Sequence, residues 1–275
     1  MAAAVLFSTG GAAIKATALQ GWQVASFRSG VAALALLLLL PAARRRPRPG
    51  ELLVAVSYAA TLVLFVLSTK WTTAASAIFL QATAPLYVVL LSPRLLGERV
   101  RARDLLFLAV LAAGLSLFFL AGQIPQATAP RPVAGNVLGA LTGLTWAVTV
   151  IGLRALGREG GGGGEAAVVA GNALAFVATL PMALSLPFEG TGSRDLLLIL
   201  YLGAIQIGVA YACLTAGLKR VTALTATLLL VLEPVLNPVW AYLVHGERVA
   251  PGAAAAGALI LGATVLKNVL DLRQR

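Results

Sequence analysis

The chain has 275 residues, of which 59% are hydrophobic and 11% charged, with a formal net charge of +11 at pH 7 and a mean hydropathy of +0.91. A soluble domain carries about 25% charged residues, so this composition excludes an ordinary water-soluble domain. The cations lie between apolar runs, so they speak for orientation in a membrane and against a nucleic-acid partner.

Apolar runs of roughly 18 residues or more, the length that crosses a bilayer core, predict ten spanning helices. The first, 2–18, has no basic residues ahead of its apolar stretch, reads as a spanning helix rather than a cleaved leader, and carries Lys15 near its end. The second, 22–41, holds Arg28 about two turns in and leads to the basic turn Arg44 to Pro49. The third, 52–69, puts Tyr58 and Phe65 on one face. Phe79, Gln81 and Pro85 fall in the fourth, 72–92. The fifth is 103–121, and the polar connection 123–132 after it is the longest in the chain. Trp146 lies in the sixth, 133–153, where Gly135, Gly139 and Gly143 recur at every fourth position and predict a close-packing face. A glycine-rich loop, 160–164, leads to the seventh, 166–185. The eighth, 195–217, carries Gln206 and Tyr211. In the ninth, 222–244, Glu233, Asn237 and Trp240 share a face, beside Pro234 and Pro238. The tenth is 251–270.

Ionisable and polar groups inside a bilayer are expensive, so the few present are candidate functional residues. Lys15 and Arg28 either snorkel to the headgroups or bind a substrate anion. Glu233, the one acid near the middle of a span, is either a functional carboxylate or an interhelical hydrogen-bond acceptor. Gln81 and Gln206 are either packing groups or ligands. Pro85, Pro234 and Pro238 are expected to kink their helices. The intramembrane aromatics Tyr58, Phe65, Phe79, Trp146, Tyr211 and Trp240 either pack or line a cavity for an amphipathic substrate. Cys213, the one cysteine, is expected to be a small buried apolar residue.

The sequence repeats itself. Pro85 and, 149 residues on, Pro234 are each followed twelve residues later by Gly-Glu-Arg-Val, as Gly97 to Val100 and Gly246 to Val249. Without a gap, the same register pairs Lys70 with Lys219 and gives 12 identities over the 49 positions from Leu52 to Val100. Two halves follow, 1–122 and 133–272, of five helices each. Five is odd, so the halves cross the membrane in opposite senses. Inverted repeats are typical of secondary transporters, with the substrate site near the midplane between the halves. With both termini in the cytoplasm, 15 of the 21 cations fall on the cytoplasmic side. The Gly-Glu-Arg-Val strings read as loop structure, with Glu98 and Glu247 placed at the start of the following helices. No nucleotide loop, dinucleotide fingerprint, paired intramembrane carboxylate or metal-ligand cluster occurs, so no cofactor, metal or catalytic centre is expected.

Leu6-Phe7-Ser8-Thr9-Gly10-Gly11-Ala12-Ala13-Ile14-Lys15 resembles the first-helix motif of the drug/metabolite transporter superfamily, EamA type. Phe27-Arg28 resembles its second-helix motif, Leu232-Glu233-Pro234-Val235 with Gly246-Glu247-Arg248-Val249 its ninth-helix signature, and Pro85 with Gly97-Glu98-Arg99 the weaker copy in the fourth. Trp146 with Arg154 echoes the first-helix pattern in the second half. Phe7 stands where the pattern often has tryptophan, and Ala84 stands where the second half has Glu233. The resemblance spans the chain. It implies an all-α, ten-helix exporter of the bacterial inner membrane, working without ATP by alternating access, most similar to exporters of aromatic and other neutral amino acids. It leaves open drugs or other metabolites as cargo, protons as a coupling ion, and a non-transporting scaffold.

Overall fold

The computed structural model describes residues 1–96, 102–120, 126–159, 162–218, 230 and 232–272. Its helices fall into ten spans among those residues. Span α1 joins Ala2–Ser8 to Gly10–Ala16 through Thr9, whose hydroxyl donates to the Leu6 carbonyl at 2.7 Å. The second, α2 (Gly21–Leu39), starts where the Gln20 N–H donates to the Gln23 side chain. Next, α3 (Pro49–Trp71) opens on a proline, tolerated where the first helical N–H has no partner anyway.

Span α4 is two helices, Ala74–Gln81 and Ala84–Leu96. Its first piece is capped by Thr73, whose hydroxyl accepts from Ser76 N–H. The interruption has a cause in the sequence, since Pro85 has no N–H to give and its ring crowds the carbonyl four residues back, at Gln81. The remaining spans are α5 (Ala102–Leu120), α6 (Pro132–Glu159), α7 (Gly163–Ser185), α8, α9 (Leu232–His245) and α10 (Pro251–Leu272). Span α8 runs as an α-helix over Ser193–Leu200, a π-helix over Tyr201–Val209 and an α-helix again over Ala210–Leu218.

Three expectations change. Spans one, four and eight are not uninterrupted α-helices, and the sixth runs on to Glu159. Pro238 sits within an unbroken α9, while the stretch 221–229 ahead of Pro234 lies outside the described residues, as does Glu98. Cys213 is exposed on α8 rather than buried.

Among the described residues, five helices are individually long and apolar enough to cross a membrane, at Gly21–Leu39, Pro49–Trp71, Pro132–Gly157, Gly163–Ser185 and Ser193–Leu214. Their outer faces carry large apolar side chains in the open, such as Leu38 and Leu53, each 74% exposed. Water would disfavour such a surface; lipid does not. Helix association then depends on close packing, and the α6 glycines supply it. A Cβ on Gly135 would lie 2.6 Å from the Thr72 nitrogen, and one on Gly143 would lie 2.8 Å from the Thr83 hydroxyl.

Helix contacts recur under exchange of helix n with helix n+5. α4 packs on α6 as α9 packs on α1, and α3 packs on α7 as α8 packs on α2. α2–α7 and α5–α10 are pairs that map onto themselves when helix n is exchanged with helix n+5. The connections after odd-numbered spans gather at one end: Ala18 N–H donates to Asp195, Arg131 N–H to the Trp71 carbonyl, and Gln126 exchanges two hydrogen bonds with Arg248. At the other end Gly162 abuts Ala42, Lys267 pairs with Asp104, and Glu51 holds Arg45 at 2.6 Å. That carboxylate pushes the Arg45 guanidinium above its ordinary pKa by hydrogen bonding.

Candidate functional site

A cavity of about 390 Å³ opens between the halves. Every span except α5 and α7 contributes to its wall, since the interrupted and π-helical stretches lie around it. α2 supplies Arg28, α3 Tyr58 and Phe65, α4 Gln81 and Pro85, α6 Trp146, α8 Gln206 and Tyr211, and α9 Glu233 and Pro234. These ten were singled out by the sequence. Five others stand elsewhere, and Lys15, Phe79, Asn237, Trp240 and Pro238 are not in the lining.

The wall is mostly aromatic and aliphatic, with charge in two places. The Phe7 and Tyr211 rings meet edge to face at 5.3 Å, and Tyr58 and Tyr211 at 5.9 Å. Arg28 is 2% exposed, and its terminal nitrogen donates to the Leu62 carbonyl at 3.1 Å. Its Nε has no partner, and no carboxylate of the described residues pairs with it. A buried guanidinium without a counter-ion is strongly disfavoured unless a ligand provides one. Glu233, in the first turn of α9, brings the one carboxylate to the lining. Gln206 donates to the Phe7 carbonyl at 3.2 Å, and its amide oxygen has no partner among the described residues.

The residues outside the lining have visible work. Phe79 fills the space beside Gly257 on α10. Trp240 donates to the Ser8 hydroxyl at 2.9 Å, and Asn237 lies buried against Gly11, so this side of α9 faces α1 while Glu233 faces the cavity. Lys15 binds no open space: it pairs with Glu247 at 3.0 Å and donates to the carbonyls of Thr72 and Thr128. Glu247 is therefore a partner of α1 and not merely a loop residue, and it also accepts the Ala74 N–H at 2.9 Å.

Sequence reasoning missed Phe7, Thr61, Val88, Val150 and, on α10, Leu261 and Thr264 in the lining. Phe7 was within reach, since it occupies the place of an expected tryptophan. The aliphatic positions carry no signal that distinguishes them from helix packing.

Comparison with known proteins agrees with this arrangement. The model of the EamA-like transporter family matches residues 1–120 and again 133–269. An uncharacterized protein of Pseudomonas aeruginosa is 33% identical over 266 residues, covering 93% of this chain and 86% of its own length. An uncharacterized transporter of Clostridium kluyveri is 22% identical over 199 residues, covering 72% of this chain and 63% of its own. A solved crystal structure of a protein at 21% identity superposes with a TM-score of 0.65 over 98% of this chain and 95% of that one, which is a likeness of fold alone. A ten-helix, multi-pass membrane protein with a cavity between duplicated halves, matched twice by one family model, the chain belongs to the EamA-like transporter family.

Proposed function

We propose that this transporter exports aromatic and other neutral amino acids across the bacterial inner membrane, by alternating access between halves 1–122 and 133–272, with both termini in the cytoplasm. One observation carries the reading: the cavity combines a buried, uncompensated Arg28, a single carboxylate at Glu233 and walls of Phe7, Tyr58, Phe65, Trp146 and Tyr211. A zwitterion fits that set. Arg28 takes the carboxylate, Glu233 the ammonium, and the rings take an apolar side chain. The positive-inside bias supports the orientation, and the pairwise exchange of helix contacts supports the inverted halves.

Reconstituted protein is expected to move labelled phenylalanine, tryptophan, threonine or methionine across liposomes without ATP. Transport equal to that of empty liposomes for all four excludes amino acids. The aromatic wall also suits amphipathic drugs or other metabolites, and a panel of such compounds in the same vesicles separates that second reading. Arg28→Met is expected to weaken phenylalanine binding by about 1.5–3 kcal/mol, the worth of a hydrogen bond to a charged group. Phenethylamine, which lacks the carboxylate, is expected to bind both proteins equally. Equal losses for the two ligands place Arg28 in the scaffold instead.

A further inference from the structure

The end of the molecule that carries the odd-numbered connections is shut by two adjoining layers of opposite energetic sign. In the first, Gly11 of α1, Ala74 of α4 and Asn237 of α9 meet so closely that a Cβ on Gly11 would lie 2.7 Å from the Asn237 amide oxygen and 2.9 Å from the Ala74 Cβ. Asn237 is fully buried there, and neither its amide oxygen nor its amide nitrogen has a hydrogen-bond partner among the described residues. A turn farther out, the Lys15 and Glu247 side chains, 3% and 2% exposed, form their ion pair. Lys15 also donates to Thr72 and Thr128 carbonyls, and Glu247 accepts from Ala74 N–H. That single pair ties α1 to the cap of α4 and to two connections, 126–131 and 246–250.

The two layers pull against each other. A buried carboxamide with nothing to bond favours any arrangement that admits water. A buried ion pair whose Lys15 amine also donates to two carbonyls and whose Glu247 Oε2 accepts the Ala74 N–H, with Oε1 held by the pair alone, ties the same layers together. Opposed terms of this kind keep two arrangements close in free energy, as an alternating-access protein requires. The piece of α1 that carries Lys15, Gly10–Ala16, is also a separate helix joined at Thr9, so it has a joint about which to swing.

We propose that Lys15 and Glu247 are the gate of this end of the cavity, joined in the closed form seen here and parted when the cavity opens to that side, where water then satisfies Asn237. The proposal rests on the cavity being the transport path, and it makes Lys15 a gate residue rather than a ligand for substrate. A tie that never opens is the competing account.

The test places a reporter in the cavity, Val150→Cys in a Cys213→Ser background, and measures its labelling by a membrane-impermeant maleimide applied to the face that carries Lys15. Lys15→Met is expected to raise the labelling rate on the order of tenfold by removing the pair. Asn237→Leu, of similar size and with no polar group to satisfy, is expected to lower it. If Lys15→Met does not yield monodisperse protein, Glu247→Gln takes its place, and Asn237→Leu decides alone if neither does. Rates unchanged by the substitutions, or moved in the same direction by both, overturn the gate. Labelling needs no substrate, so a cargo other than amino acids leaves this result standing, and failure of the gate leaves the cargo assignment untouched.

Discussion

Glu233 is the residue at which proton coupling can be tested. It is the one carboxylate that the described residues bring to the cavity lining. If protons drive export, this group carries them, and Glu233→Gln keeps the shape while removing titration. The expected outcome is loss of stimulation by a pH gradient, measured in proteoliposomes, with substrate still bound but more weakly because its ammonium loses a charged partner. Stimulation that survives the substitution makes Glu233 structural, and a wild type indifferent to the gradient moves cargo down its own gradient. At this scale the sequence was readable wherever a polar group stood inside an apolar run, which is how Arg28, Gln81, Gln206 and Glu233 were found. It was unreadable for pairs. Nothing local to Lys15 announces Glu247, more than two hundred residues away, so their ion pair could not be read from the sequence.

Among the helices, α6 carries the clearest structural demand. Gly135 faces backbone, with the Trp71 carbonyl carbon 2.9 Å from where its Cβ would sit, and backbone cannot rotate away. Gly135→Leu is expected to destabilise the protein by about 1–3 kcal/mol through overpacking. Gly157 on the same helix has nothing within 4 Å and serves as the control, since Gly157→Ala should be neutral or slightly stabilising. Thermal unfolding in detergent reads both. The glycine spacing was legible because period four is the period of a helix face. The joint at Thr9 and the π-helix in α8 were not, because apolar composition is the same whether a carbonyl bonds four or five residues on. Pro85 did announce the break in α4, whereas Pro238 lies inside a continuous α9.

For the molecule as a whole, the grouping of odd connections at one end and even connections at the other makes topology a single binary question. Fusions answer it: alkaline phosphatase is expected to be inactive at the C-terminus and active when joined after Glu189, in the connection between α7 and α8. The reverse pattern places both termini outside the cytoplasm. Span number was readable from hydropathy. The cavity was not, because its shape depends on how ten helices lean.

That shared register has a geometric corollary. Leu52 to Ala60 in the first half correspond, without a gap, to Tyr201 to Val209 in the second. The first nine are wound as α-helix and the second nine as π-helix. A π-helix is wider and advances less per residue, so equal counts of residues cover unequal lengths, and every side chain beyond Val209 points in a different direction from its counterpart beyond Ala60. The duplicated halves are therefore not interchangeable solids. If the proposed alternating access exchanges their conformations, the exchange does not return the same molecule viewed from the opposite face.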